Sequence, residues 1–487
     1  MSTQCNVTLV ASLNDPPTHS RLRRWPALLA LSLAALLLGA CTAGAAVVGA
    51  GTSLSTTSSA SPQASATSPQ ASATSPLASA TSPLASATSP LASATSPLAT
   101  PPPGPLPSGA LPAASVAPSA SADPLALTIP FDDAAAAALQ VVLDTARARI
   151  PTPGISVAIR SADGRTWLGV SGDRRLAPAR PVDEDTVFSI ASITKTFVTA
   201  VVLQLVSEGS LGLDDPLSSY LPEYPRAKQI TIRQLLAHTS GVANYFESPA
   251  YSRAVFSDPT RRWKVRDILA LVGRPYCKPG TCFHYSNTNF VLLGKVVQQV
   301  TGRNIAQEID DRLVVPLGLD GTRFQPTVET PRNAAHGHLW AGGSTFLDQT
   351  RGSRVLPHMS AATVAWAAGA MVSSPADLAR WAMALYATDR VVPPDLRAQM
   401  LDFRKQDEYG LGTRTRIFNG RRAVGHGGSL RGYEDGIWYF PREGAVIVLL
   451  SNRGLYSPDR TIRELARTLW KHIEVPEPEY PRTKNTH

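Results

Sequence analysis

Between Thr42 and Ala122 the chain has no Asp, Glu, Lys or Arg. A stretch without charge, built from Ser, Ala, Pro and Thr, cannot bury a core, so the folded part must begin near Pro124. Lysine is scarce as well: there are eight. No Lys/Arg run with interleaved aromatics occurs, and this excludes nucleic acid as a partner despite a net charge of +9 and a pI near 9.5. No H-E-x-x-H is present, and the four cysteines do not form two ligand pairs, so neither a metal nor another cofactor is expected. The longest apolar run, Pro26 to Ala40, is shorter than the roughly 20 residues a membrane span needs. Against these absences, 43% of the 487 residues are hydrophobic, which is enough for a large core.

Arg21, Arg23 and Arg24 precede that apolar run, the order of a secretion signal. It ends in Leu38-Gly39-Ala40-Cys41, which resembles the lipobox of bacterial lipoproteins. The resemblance implies that residues 1–41 are a lipoprotein signal ending at a lipidated Cys41. Two or three acyl chains would then hold the mature protein on the outer face of the cytoplasmic membrane. From Ser61 a seven-residue unit repeats, SPQASAT and then SPLASAT. Each copy carries a proline and lacks a second apolar seam position, which rules out a coiled coil. Residues 42–130 therefore read as a disordered tether, 131–474 as the folded domain, and 475–487 as a polar tail.

Within the domain, Ala134–Arg149 has the spacing of a helix, and Ile155–Arg160 with Trp167–Val170 that of a β-hairpin. Helical segments follow at Ser192–Glu208, Ile232–His238 and Asn289–Gln299. Strands return at Arg421–His426, Gly436–Phe440 and Ala445–Leu450, with a helix at Asp459–Lys471 that Asp459 is placed to cap. Strands at both ends and helices between predict an α/β fold: an antiparallel sheet flanked by helices, with an all-α subdomain inserted. Cys277 and Cys282 are separated by a Lys-Pro-Gly-Thr turn, so a small disulfide is favoured over free thiols.

One lysine alone has a serine three residues before it: Lys195, in Ser192-Ile-Thr-Lys195. Residues i and i+3 share a helix face, so an amine there can activate the hydroxyl. Downstream stand Tyr285-Ser286-Asn287, a phenol able to act as base beside a cation and an amide able to hold substrate. Further on, His426-Gly427-Gly428-Ser429 follows a strand-like run whose glycines let the backbone approach a ligand.

Together these segments resemble the serine β-lactamase-like family, in the branch of class C β-lactamases, D-alanyl-D-alanine carboxypeptidases and related esterases. Leu213-Asp-Asp-Pro-Leu217, Ile232 to Gly241 and Leu317 to Thr322 support the likeness, which spans roughly Ile155 to Asn452. It implies an acyl-enzyme serine hydrolase acting on a D-alanyl peptide of peptidoglycan, a β-lactam or an ester. Ser192 would be the nucleophile, Lys195 and Tyr285 the proton carriers, and His426 the group in the place of the class C lysine. Asn287, Gly427, Gly428 and Ser429 would line the substrate, with main-chain N–H groups of Ser192 and Ser429 holding the oxyanion. Gly427 departs from the usual threonine that helps hold a substrate carboxylate; Ser429, Arg414 or Arg416 are the candidates to compensate. A competing reading is an inactive penicillin-binding-like module that binds a wall peptide or protein. His238 reads as structural, Asp214 and Asp215 as turn braces, His336 and His338 as loop residues, and Trp366, Trp381 and Trp438 as core.

Overall fold

The computed structural model describes residues 125–480, apart from 126, 128, 326–330 and 404–407. All of them belong to one structural unit, Pro112–His487. Cys41 with the expected signal, the tether as far as residue 124, and tail residues 481–487 lie outside the described residues.

An eight-stranded sheet is assembled from both ends of the domain. Its strands include β1 (Ile129–Pro130), β2 (Gly154–Arg160), β3 (Arg165–Leu176), β4 (Arg414–Phe418), β5 (Arg421–Leu430), β6 (Tyr433–Phe440) and β7 (Ala445–Ser451). They run in the order β1-β3-β2-β7-β6-β5-β4, and Ala179–Pro181 pairs separately with β3. Pairing is antiparallel except at the β1–β3 edge, which is parallel. The central strand β7, Ala-Val-Ile-Val-Leu-Leu-Ser, is buried along its whole length, as an apolar run covered on both faces must be. Alternate residues divide the two faces. Ile155, Val157, Ile159, Ile447 and Leu449 pack under the terminal helices, whereas Ala158, Val446, Val448 and Leu450 join the larger core.

The terminal helices are α1 (Asp133–Arg149) and the last helix (Asp459–Leu469). Helix α1 starts where Asp132 accepts a hydrogen bond from the Ala135 N–H at 2.7 Å. It buries Leu139, Leu143 and Ala146, one helical stripe. Asp459 is not the cap of the last helix; Pro458 precedes it and Asp459 lies in the first turn, where its charge still suits the helix dipole.

Between β3 and β4 lies the helical insertion, with α2 (Thr194–Ser207), α3 (Ile232–Leu236) and α4 (Asn287–Thr301). It is not purely helical, since two three-stranded sheets border it. One contains His338–Gly342, so His338 opens a strand, and His336 Nδ1 lies 2.8 Å from Asp348. Two boundaries differ from the sequence reading. Leu125 is already in the main core, and β1 pairs with β3, so the fold begins before residue 131. The tail is held at least to Tyr480, whose N–H donates to the Gly420 carbonyl. Trp381 and Trp438 are core residues, and Trp366 is half-buried against the core. Among the described residues no helix is long and apolar enough to cross a membrane.

Candidate active site

Helix α2 is apolar on nearly all sides, the mark of a helix through the middle of a core. It is anchored by Trp381, which stacks on Phe197 at 4.0 Å and donates from Nε1 to Thr196 Oγ1. Lys195, in its first turn, is thereby fully buried. Ser192 sits just before, in a single 3-10 turn, Ala191–Ile193. The φ of Ala191 is +44°, a left-handed conformation that costs a non-glycine residue energy and turns the serine out of the strand-to-helix path.

Lys195 Nζ lies 2.9 Å from Ser192 Oγ, 2.8 Å from Asn287 Oδ1 and 2.6 Å from the Ala368 carbonyl. The last two are pure acceptors. A neutral amine has two N–H groups for them and a lone pair left for the serine. Burial holds the amine well below the ordinary lysine value, and the Arg414 guanidinium adds to the effect. The opposite side of Ser192 Oγ receives the Tyr285 hydroxyl at 3.0 Å. Tyr285 was expected to lose its proton easily. Instead burial pushes it up to about 12, against the opposing influence of Ser192 and Arg414. Burial thus favours the uncharged form of both groups, an amine with a lone pair toward Ser192 and a phenol that donates to it.

Asn287 begins α4, and its place is set by Asn244, whose Oδ1 accepts from both the Asn287 N–H and Nδ2 at 3.2 Å. Its own Oδ1 is taken by Lys195. Asn287 thus holds the amine, where the sequence had it orienting substrate. The disulfide between Cys277 and Cys282 closes the loop that leads to Tyr285. That loop is hydrogen-bonded to the turn after α3, through Gly280 N to Thr239 O and His284 N to His238 O.

The third segment lies on β5. Strand β4 pairs with β5 only as far as Gly425, so residues 426–430 keep one unpaired edge. Gly428 packs against the Ser192 turn: a Cβ there would stand 2.5 Å from the Ile190 carbonyl oxygen. A Cβ on Gly427 would meet nothing nearer than the Asp435 oxygen at 3.6 Å. Ser429 turns its hydroxyl to Glu434, 2.7 Å away, and does not replace the missing threonine hydroxyl. Glu434 itself is pushed up to about 7 by burial. Of the two arginines, Arg416 faces Asp459 at 3.9 Å. Arg414 stacks over the Tyr285 ring at 5.3 Å and the Tyr409 ring at 5.6 Å, and its buried Nε has no acceptor.

His426 is the departure from expectation. No hydrogen bond joins it to Ser192, Lys195 or Tyr285; Nε2 meets the Tyr409 hydroxyl at 3.0 Å and Nδ1 its neighbour's carbonyl, Gly427 O, at 2.6 Å. Burial, with the Arg414 guanidinium beside it, holds it well below the ordinary histidine value, so it stays neutral and is not a stand-in cation. Asn244 and Tyr409 were missed by the sequence reading. A lone Asn in a loop and a lone Tyr before a strand carry no spacing signal.

Residues 141–469, well over half of the chain, match the Beta-lactamase family. Penicillin-binding protein 4 of Amycolatopsis lactamdurans is 28% identical over 348 residues, covering 67% of this chain and 87% of that protein. Esterase EstB of Burkholderia gladioli is 36% identical over 222 residues, covering 42% of this chain and 55% of the esterase. The solved D-amino acid amidase of Ochrobactrum anthropi SV3 superposes with a TM-score of 0.62 at 26% identity, covering 69% of this chain and 99% of that one. With such a match, and with the Ser-x-x-Lys and Tyr-Ser-Asn segments meeting at one hydroxyl, the chain belongs to the Beta-lactamase family of serine hydrolases.

Proposed function

We propose that the protein hydrolyses short esters or D-aminoacyl substrates through an acyl-enzyme on Ser192. The observation that carries this reading is the position of Ser192 Oγ between the Lys195 amine and the Tyr285 phenol. Oγ bonds to the substrate carbonyl carbon while its proton passes to Nζ. The carbonyl oxygen takes up negative charge and rests on the N–H groups of Ser192 and Ser429. Losing one such donor costs about 10²–10³ in rate. The bond to the leaving group then breaks, and the leaving atom receives a proton from the ammonium by way of the phenol. Water repeats the sequence on the acyl-enzyme, with the amine again as base.

Beside Ser429 opens a cavity of about 200 Å³ lined by Phe246, Tyr251, Phe256, Ala361 and Leu430 together with Arg431, with room for a largely apolar substituent on the acyl side. Arg414 favours a second reading, a D-alanyl peptide whose carboxylate would be attracted by a guanidinium whose Nε has no acceptor. Without a hydroxyl at Gly427, β-lactam turnover should be weak. A fluorophosphonate probe should label the wild type and not Ser192→Ala, and short-chain p-nitrophenyl esters should be cleaved. Failure of both would leave the wall-peptide-binding reading in place. Rapid nitrocefin hydrolysis would contradict the Gly427 inference. Anchoring at the envelope is proposed on the Leu38–Cys41 stretch alone, and Cys41→Ala should release the protein from membranes.

A further inference from the structure

His238, Tyr409 and His426 form a chain of hydrogen bonds whose direction is fixed at both ends. At one end, His238 Nδ1 receives the Ser286 N–H at 3.1 Å, so that nitrogen carries no proton. The Asn289 amide, 3.2 Å away, points the same way because its Oδ1 already accepts from Ser240. A neutral His238 must then hold its proton on Nε2, which lies 3.2 Å from the Tyr409 oxygen. Neutrality is favoured by full burial, with the Arg414 guanidinium adding to the effect. At the other end, His426 Nδ1 faces the Gly427 carbonyl, a pure acceptor, and must be protonated. Its Nε2 is left to accept, and the Tyr409 hydroxyl has one proton to give it. The chain reads Ser286 N–H to His238, His238 to Tyr409, Tyr409 to His426, and His426 to Gly427 O, with one proton available for each link.

Its two ends belong to the two halves of the site. Ser286 lies between Tyr285 and Asn287 at the start of the helical half, and Gly427 lies on the free edge of the sheet. We propose that Tyr409 is a positioning residue that fastens the β5 edge to the Tyr285–Asn287 segment, setting the distance between the oxyanion donors and the Ser192 hydroxyl. This rests on the hydrolase reading above. None of the three side chains need touch substrate, and His426 serves as a coupler in place of a charge. Tyr409 also stacks on Arg414, but that contact uses the ring and survives loss of the hydroxyl.

Tyr409→Phe removes one oxygen and keeps the ring. It leaves His238 Nε2–H and His426 Nε2 without their partner. Since misplacing reacting groups by about 1 Å costs on the order of 10²-fold, kcat for a p-nitrophenyl ester should fall about 10- to 100-fold. KM should stay within about threefold, because no substrate contact is removed. Rates are to be normalised to the Ser192 sites that a fluorophosphonate can titrate. His238→Leu should show a similar loss, and Tyr409→Phe/His238→Leu should be little worse than either alone, the signature of one chain. Normalised kcat within threefold of wild type overturns the proposal, as do losses that multiply in the double variant or fall wholly in KM. A wild type that neither cleaves the ester nor is labelled at Ser192 refutes instead the hydrolase reading.

Discussion

Gly427 and Gly428 are neighbours on one strand, yet alanine should have opposite consequences at the two positions. At Gly428 the added Cβ would stand 2.5 Å from the Ile190 oxygen and 3.1 Å from Asp435 Oδ2. The Ile190 oxygen is backbone, two residues before the nucleophile, and cannot rotate away. Relief requires β5 to retreat from the Ser192 turn by about 1 Å, a displacement that costs on the order of 10²-fold in rate. That equals about 2.7 kcal/mol of transition-state stabilisation. Overpacking of this kind costs about 1–3 kcal/mol of stability, so Tm should fall by several degrees. At Gly427 the same methyl has open space around it, with its nearest neighbour at 3.6 Å. Steady-state kinetics on a p-nitrophenyl ester, normalised by active-site titration, with thermal melts alongside, compares the two. Gly428→Ala should lose about two decades in kcat while Gly427→Ala stays within threefold. A fully active Gly428→Ala would show that the strand's closeness to Ile190 does not set the oxyanion geometry.

Gly427→Thr should raise nitrocefin turnover severalfold by restoring a hydroxyl beside the site; unchanged turnover would place the block elsewhere. Lys195→Met should lower kcat/KM about 10²–10⁴-fold, the contribution of a positioned base, and a loss under tenfold would remove the amine from the proton path. The active amine is the neutral one, so activity rises with pH through the Lys195 pKa, and that limb lies below the ordinary lysine range. Arg414→Met removes a nearby cation and should move the limb to higher pH in a pH–rate profile; a shift downward would refute the electrostatic account. Glu434 holds its proton to about pH 7 in the folded protein and releases it near 4.5 when unfolded. The folded state binds more protons between those values, so stability should fall as pH rises through them. Glu434→Gln should flatten the change in Tm from pH 5 to 8, and an identical slope in both proteins would exclude this group as the cause.

The sheet strands and the long helices were legible because their apolar spacing is regular: β7 is a continuous run, and α1 shows a clean stripe. Ser192, Lys195, Tyr285 and Asn287 were legible because short local motifs carry them. What the sequence could not convey was the direction of each side chain's bonds. Asn287 spends its amide on Lys195 and Asn244, and Ser429 spends its hydroxyl on Glu434. The phenol's pKa depends on how completely Tyr285 is covered, a tertiary property, and a basic neighbour does not overcome that burial. Tyr409 and Asn244 act across chain separations that no local pattern encodes. One of the small sheets beside the helices was hidden because its strands, of two or three residues, have no period to read.

Strand β2, near the start of the domain, is seated beside β7, near its end, with Ser156 opposite Leu450. A ribosome therefore delivers the nucleophile, the amine and the phenol long before the segment that frames the reacting carbonyl exists. A nascent chain cannot be partly active, and a fragment cut before β4 carries every proton-transfer group with no platform beneath them. Contacts of such span also slow folding.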